Sequence, residues 1–142
     1  MSAVDELLAE ARRGLVRLQP ARAAAAVAEG ALLIDMRTSD QRQRDGEIPG
    51  ALAIDCTVLA WRLDPTNPDH IPQLIHSDQA VILICNEGYS SSLAAATLQR
   101  LGLLHATDVV GGFQAWAACD LPVHWAARRN REAKRRSTPA AS

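Results

Sequence analysis

Cys85 is the residue of this chain whose type and position are best suited to covalent chemistry. It ends the apolar run VILIC, and the short turn NEGYSS leads from it into SLAAATLQRLG, a run with helical spacing. In such a strand–loop–helix turn, backbone N–H groups point into the loop and the helix adds its positive end. Both effects stabilise a thiolate, the nucleophilic form of cysteine. The stretch therefore predicts a reactive cysteine at the end of a strand.

The residues that follow Cys85 supply what such a loop needs. Gly88 can adopt the positive φ that closes the turn, and the serine hydroxyls at positions 90–92 can donate to an anion or cap the helix. Glu87 acts in the opposite direction, because a carboxylate beside the thiol disfavours the thiolate and repels anionic substrates. The alternative interpretation is a buried cysteine that ends a strand, with glycine and serine merely forming a turn.

Length and composition indicate one globular domain. The chain has 142 residues, of which 48% are hydrophobic and 22% charged, which is ordinary for a soluble protein. No apolar run is long enough to span a membrane, and the N-terminus is acidic and amphipathic, so we expect a cytoplasmic protein with reduced cysteines and no membrane partner. The three cysteines show neither a C-x-x-C pair nor zinc-site spacing, so no metal or cofactor is expected.

The net charge of −1 conceals a basic C-terminal end. Residues 124–142 contain six of the 15 Lys and Arg residues, whereas residues 1–123 contain fifteen of the 16 Asp and Glu residues. We predict a disordered tail over 125–142. A basic tail can contact nucleic acid or an acidic partner, but a solvated chain end is the simpler interpretation. The chain shows no array of aromatic residues for base stacking, so no nucleic-acid partner is expected.

Strands alternate with helices along the chain. Apolar spacing predicts an amphipathic helix over 3–13, ended by Gly14. The predicted strands are LVRLQP, ALLIDMR, ALAID, VILIC and HATDVV, and the later helices are ARAAAAVAEG, TSDQRQRDG, TVLAWRL, SSLAAATLQRLG (capped by serine) and GGFQAWAACDLPV. Apolar strands alternating with helices predict a parallel sheet covered on both faces. The carboxyl ends of its strands would bring Asp35 and Arg37 to the same edge as Cys85.

Four motifs, in order, resemble those of the rhodanese-like sulfurtransferase family. LLIDMR is similar to its first signature, EIPGA to the following element with Glu47 in place of the usual histidine, and CNEGYSS to its active-site loop. GGFQAWAACDLPV resembles the closing element, with Asp120 in place of the usual glycine. Over residues 16–124 the chain is identified as a single-domain member of this family, with residues 1–15 as an N-terminal helix in front of it.

The resemblance implies an α/β domain with a central parallel sheet of about five strands flanked by helices, and a sulfur-carrying cysteine. Cys85 would take a sulfane sulfur from a donor, thiosulfate or a persulfide, and pass it to a thiol or other nucleophilic acceptor. Asp35 and Arg37 would fix the loop and strand ends by charge-assisted hydrogen bonds, unless they form a surface ion pair of little weight. The loop around the outer sulfur would consist of Asn86, Glu87, Gly88, Tyr89, Ser90 and Ser91.

The composition of the loop bears on the substrate. It contains no cation, whereas thiosulfate-using members of the family often have arginine or lysine there. A protein-bound persulfide, or a small neutral or zwitterionic thiol, therefore fits the loop better as a partner. Cysteine phosphatases and arsenate reductases need an arginine six residues after the cysteine, where this chain has Ser91.

Two further alternatives stay open at this stage. The first is a non-enzymatic rhodanese-like binding or regulatory module, for which the basic tail would be the place to look for a partner. The second concerns Cys56 and Cys119, which are expected to be packing or surface thiols. Either could form a disulfide with Cys85, but the sequence gives no distance. It gives no oligomeric state either.

Overall fold

The fold is a four-stranded parallel sheet with helices on both faces. The computed structural model describes residues 1–125, so almost all of the predicted basic tail lies outside the described residues. The strands are β1 (Leu32–Asp35), β2 (Leu52–Ala53), β3 (Val81–Ile84) and β4 (Ala106–Asp108), in the spatial order β2-β1-β3-β4. The predicted α/β class and parallel sheet are confirmed.

Six helices occur among the described residues, and the predicted N-terminal helix over 3–13 is confirmed. They are α1 (Ala3–Arg13), α2 (Pro20–Ala28), α3 (Ser39–Asp45), α4 (Leu59–Arg62), α5 (Ser90–Arg100) and α6 (Gly112–Ala118). α1 begins with a capping box between Ser2 and Asp5, and it packs against α5 with Leu8 buried. Within residues 1–125, no helix is long and apolar enough to cross a membrane.

The fifth strand, expected at LVRLQP, is reduced to a single residue. Leu18 forms an isolated parallel bridge to Val109, donating to Asp108 O at 3.0 Å and accepting from Val110 N–H at 2.9 Å. Pro20 lacks an N–H and begins α2 two residues later. The extended segment is therefore too short to form a ladder, and the sheet has four strands with Leu18 beside β4.

The sheet separates two hydrophobic cores, and β3 contributes to both. Val81 and Leu83 pack into the core under α4 and α5, whereas Ile82 and Ile84 pack into the core under α2 and α6. A central parallel strand covered on both faces needs apolar residues at every position, which is why VILI shows no alternation. This strand delivers Cys85 to the carboxyl edge of the sheet.

The serine cap predicted for α5 is wrong. The N-cap residue is Tyr89, and no side-chain hydrogen bond caps the helix. The hydroxyls of Ser91 and Ser92 instead donate to Asp108 Oδ2, each at 2.7 Å. The helix begins at Ser90, so Ser91 and Ser92 lie inside its first turn and not at the N-cap, and a buried carboxylate on β4 accepts their hydroxyl protons.

Candidate active site

Cys85 follows β3 directly and begins a tightly closed loop. Its side chain is buried, and its Sγ accepts a hydrogen bond from Gly88 N–H at 3.1 Å. Gly88 has a φ of 86°, and a Cβ there would lie 2.8 Å from the backbone N of Gly111. Only glycine fits this position, so the loop predicted between Cys85 and Gly88 closes on its own cysteine.

The first turn of α6 holds the loop from one side. Phe113 N–H donates to Cys85 O at 2.8 Å, and Gln114 N–H donates to Asn86 O at 3.1 Å. These N–H groups belong to a helix start, where no intrahelical acceptor exists. Two carbonyls of the loop are therefore turned toward α6.

The N–H groups of the loop point the opposite way. In a trans peptide, the C=O of one residue and the N–H of the next are antiparallel, so the N–H groups of Asn86 and Glu87 face away from α6. Together with that of Tyr89, they donate to no acceptor within residues 1–125. Gly88 N–H donates to the sulfur, and these three N–H groups of the same loop are left available to a further acceptor.

The pKa of the Cys85 thiol lies below its ordinary value. Burial raises the pKa, but hydrogen bonds from the side chains of Ser91 and Ser90 and from the backbone of Ser91 and Gly88 together lower it by more. These donors stabilise the thiolate and so increase the reactive fraction at neutral pH. The side chain of Glu87, expected to oppose the thiolate, is exposed, where solvent and salt screen its charge.

Asp108 is the site residue that the sequence analysis missed. Its fully buried carboxylate accepts from Ser91, from Ser92, and from Arg17 Nε and Nη2 at 2.8 and 3.2 Å. The Ser91 hydroxyl has one proton, which it can donate in a hydrogen bond either to Asp108 or to the Cys85 thiolate. Because three other donors remain, the carboxylate stays hydrogen-bonded when Ser91 turns to the sulfur. An acidic residue inside the strand run HATDVV was the available signal.

Asp35 and Arg37 form a buried pair, so the alternative of a surface ion pair is wrong. Arg37 donates to both carboxylate oxygens of Asp35, with Nη2–Oδ2 at 2.7 Å, and to Gly46 O at 2.9 Å. Its Nη1 is buried without a hydrogen-bond partner among the described residues, and its guanidinium lies 3.7 Å from the ring centroid of Phe113. The pair thus fixes the end of β1 against α6, whose N–H groups hold the loop.

A cavity of about 400 Å³ opens beside the loop. Arg37 is the one cationic residue among the described residues that line it, and its guanidinium is occupied by Asp35. Cys56 is exposed and lines the same cavity as Cys85, whereas Cys119 is exposed at the end of α6 and does not line it. The lining consists of Met36, Arg37, Thr38, Gln41, Cys56, Cys85, Asn86, Glu87, Tyr89 and Ser90.

The lowered pKa predicts how alkylation of Cys85 depends on pH. The rate with iodoacetamide should rise with pH and reach its midpoint below that of free cysteine, whose pKa is about 8.5. Ser91→Ala removes one hydroxyl donor and should move the midpoint to higher pH. Mass spectrometry of the Cys85 peptide measures the rate. Restricted access of the reagent slows alkylation without moving its midpoint, so a midpoint at or above that of free cysteine would contradict a lowered pKa.

Comparisons with known proteins agree with this geometry. A family model described as Rhodanese-like domain matches residues 19–119. The chain is 33% identical over 100 residues to thiosulfate sulfurtransferase GlpE of Pseudomonas entomophila, which covers 70% of this chain and 83% of that protein. It is also 33% identical over 86 residues to the adenylyltransferase and sulfurtransferase UBA4 of Lodderomyces elongisporus; this match covers 60% of the chain but only 19% of that longer protein.

A solved structure is similar over nearly its whole length. It is that of a protein of unknown function from Rhodopseudomonas palustris, described as a possible tyrosine phosphatase. The TM-score is 0.78 at 30% sequence identity, and the match covers 87% of this chain and 96% of that chain.

Proposed function

The chain belongs to the rhodanese-like family, and we propose that it is a sulfurtransferase whose sulfur carrier is Cys85. The observation that carries the proposal is the loop after β3. The loop lowers the pKa of the thiol. The N–H groups of Asn86, Glu87 and Tyr89 point away from the hydrogen-bonded carbonyl of the residue before each of them. A nucleophilic thiolate inside a cluster of donors is what persulfide chemistry requires.

In the first half-reaction, the Cys85 thiolate attacks the sulfane sulfur of the donor. The bond between that sulfur and the rest of the donor breaks, and the donor leaves with the electron pair, as sulfite from thiosulfate or as a thiolate from a persulfide. The sulfur remains on Cys85 as a persulfide anion. The N–H groups of Asn86, Glu87 and Tyr89 supply hydrogen bonds to its negative charge.

In the second half-reaction, a thiolate of the acceptor attacks the outer sulfur of the persulfide. The bond from that sulfur to Cys85 Sγ breaks, and Cys85 leaves as the thiolate that the loop already stabilises. The acceptor departs as a persulfide. The two half-reactions balance without an outside oxidant or reductant, because the sulfane sulfur changes partners at constant oxidation level.

The cavity favours a persulfide donor over thiosulfate. Arg37 is the one cationic residue among the described residues that line the cavity, and its guanidinium is bound to Asp35, so a dianionic donor meets no free cation there. Tyr89 is 59% exposed and offers an aromatic surface beside the cavity, of the kind that partner proteins contact. We therefore propose a protein-bound persulfide, or a small neutral or zwitterionic persulfide, as the preferred donor.

The likeness to a possible tyrosine phosphatase raises a second candidate function. A cysteine phosphatase binds the phosphoryl oxygens with an arginine six residues after its cysteine. Here Ser91 occupies that position, and its hydroxyl lies against Asp108. No free guanidinium fork from residues 1–125 lines the cavity at this loop for a phosphoryl group, so the geometry supports sulfur transfer.

Intact-mass spectrometry tests the proposal. After incubation with a cysteine persulfide donor, the protein should gain one sulfur, about 32 Da, and lose it again on treatment with a thiol. Thiosulfate at the same concentration should load the protein more slowly. Cys85→Ala should fold normally and gain no sulfur.

Cys119→Ser is the matched control, because it removes an exposed thiol that does not line the cavity. It should load sulfur as the wild type does. Loading in Cys85→Ala would contradict the assignment of the carrier. A folded, reduced wild-type protein that gains sulfur from neither donor would contradict the enzyme function and favour a binding module.

A further inference from the structure

Two arginines reach the outer side of the active-site loop from the N-terminal part of the chain. Arg12 Nη2 donates to Gly88 O at 2.8 Å, and Arg17 Nη2 donates to the same oxygen at 3.0 Å. Each is a charge-assisted hydrogen bond, which is stronger than a neutral one. The carbonyl of Gly88, a buried residue of the loop, thus accepts hydrogen bonds from two cationic side chains that lie outside the loop in the sequence.

Both guanidinium groups are themselves fixed in place. Arg17 Nε donates to Asp108 Oδ1 at 2.8 Å, and only 18% of its side chain is exposed. Arg12 Nε donates to Ser92 Oγ at 3.1 Å, and its guanidinium lies 5.7 Å from the ring centroid of Tyr89. The arginines therefore join the loop to β4 and to the start of α5.

The packing of α1 delivers Arg12 to this position. Arg12 lies in the last turn of α1, which packs against α5 and ends at Gly14. Gln99 of α5 donates from Nε2 to Gly14 O and to Ala106 O, each at 3.0 Å. The end of α1 is thus tied to both α5 and the start of β4, and its last turn cannot shift without breaking these bonds.

We infer that Arg12 and Arg17 form a brace that positions the active-site loop for persulfide formation. By holding the Gly88 carbonyl, they direct the N–H of Tyr89 away from the two guanidinium groups and leave it available to the persulfide, since it donates to no acceptor within residues 1–125. The two arginines are positioning residues, since they act on the sulfur through a peptide group. This inference rests on the proposed role of Cys85 and deepens it.

The brace also accounts for a reactive cysteine in a loop without a cation. Both guanidinium groups are engaged behind the loop by Gly88 O, Asp108 and Ser92, and neither arginine lines the cavity beside Cys85. The two arginines therefore support the loop without offering a cationic partner to an anionic sulfur donor in the cavity. Such a site suits donors that bring no sulfonate, which matches the persulfide class proposed above.

Arg12→Gln, compared with Arg13→Gln, tests the brace. Arg13 is the exposed neighbour on the same helix and makes no hydrogen bond or ion pair among the described residues, so both variants lose one charge from α1. In Arg12→Gln, the pH midpoint for alkylation of Cys85 should rise, and the rate at neutral pH should fall roughly three- to tenfold. Arg13→Gln should match the wild type in both.

Further measurements make the result decisive. Urea unfolding of each variant shows whether the fold is retained, and Arg12→Lys keeps the charge but loses the planar fork. An intermediate midpoint for Arg12→Lys supports positioning. The positioning role would be overturned if alkylation of Cys85 in Arg12→Lys depended on pH as it does in the wild type. It would also be overturned if Arg12→Gln and Arg13→Gln showed the same pH dependence. Alkylation needs no sulfur donor, so this test is independent of sulfur loading by the wild type, which tests the proposed function.

Discussion

Gly112→Ala is expected to lower the free energy of unfolding by about 2–4 kcal/mol and to slow sulfur transfer roughly a hundredfold. Gly112 has a φ of 60°, and a Cβ there would lie 2.5 Å from Cys85 O, 2.7 Å from Gly88 N and 2.8 Å from Glu87 N. All three atoms belong to the backbone of the active-site loop, so no side chain can move aside. The loop itself must shift, and its N–H donors shift with it.

Gly102→Ala provides the control for the backbone conformation alone. Gly102 has a φ of 104°, but a Cβ there would meet nothing within 4 Å among the described residues. This variant should lose about 1–2 kcal/mol from left-handed strain and transfer sulfur at the wild-type rate. Urea unfolding and the rate of loading by a persulfide donor measure the two effects. If Gly112→Ala and Gly102→Ala transferred sulfur at equal rates, the contact between residue 112 and the backbone of the active-site loop would not matter for sulfur transfer.

The sequence was sufficient to place Cys85 at the end of a buried strand because the signals there are local. An apolar strand without alternation, a cysteine at its end and Gly88 three residues later are all readable within one short stretch. The structure places Cys85 directly after β3, and the loop closes on its Sγ through Gly88 N–H. The chemical roles of the loop residues stay predictions until sulfur loading is measured.

The brace could not be predicted, since its members are remote in sequence. Arg12 and Arg17 lie 76 and 71 residues before Gly88, and on a helical pattern Arg12 is simply a polar residue near the end of α1. The predicted domain boundary between residues 15 and 16 also remains a prediction. However, the two arginines on either side of it bind the same carbonyl, so α1 contributes to the site.

Charge and burial explain why the serine cap predicted for α5 was wrong and why the alternative of a surface pair does not hold for Asp35 and Arg37. Serine before a helix predicts a cap, but the helix begins at Ser90, so Ser91 and Ser92 lie inside its first turn, where they donate to a buried carboxylate on a neighbouring strand. Asp35 and Arg37 are two residues apart, a spacing that does not distinguish a surface pair from a buried one. In both cases the sheet neighbours decided the outcome, and these are set by tertiary structure.

Asp108→Asn is expected to lower the free energy of unfolding by about 2–4 kcal/mol. The carboxylate faces only donors: Arg17 Nε at Oδ1, and Ser91, Ser92 and Arg17 Nη2 at Oδ2. An amide replaces one of these oxygens by an NH₂ group, so a donor meets a donor whichever way the amide is turned. The guanidinium of Arg17, mostly buried, also loses its counter-charge. Urea unfolding measures the loss.

Asp45→Asn removes the same charge from a less buried pair and is the control. Asp45 binds Arg44 at 2.9 Å, but the side chains of Arg44 and Asp45 are 63% and 25% exposed, and such a pair contributes little to stability. Asp45 also accepts from Gln114 Nε2 at 3.2 Å, a hydrogen bond that the amide oxygen of asparagine can still accept. Its unfolding midpoint should match that of the wild type. If Asp108→Asn unfolded at that same midpoint, the buried pair would not stabilise the fold. A large loss confined to Asp108→Asn would show that Arg17 needs its carboxylate, and the brace on Gly88 would then depend on β4 as well as on α1.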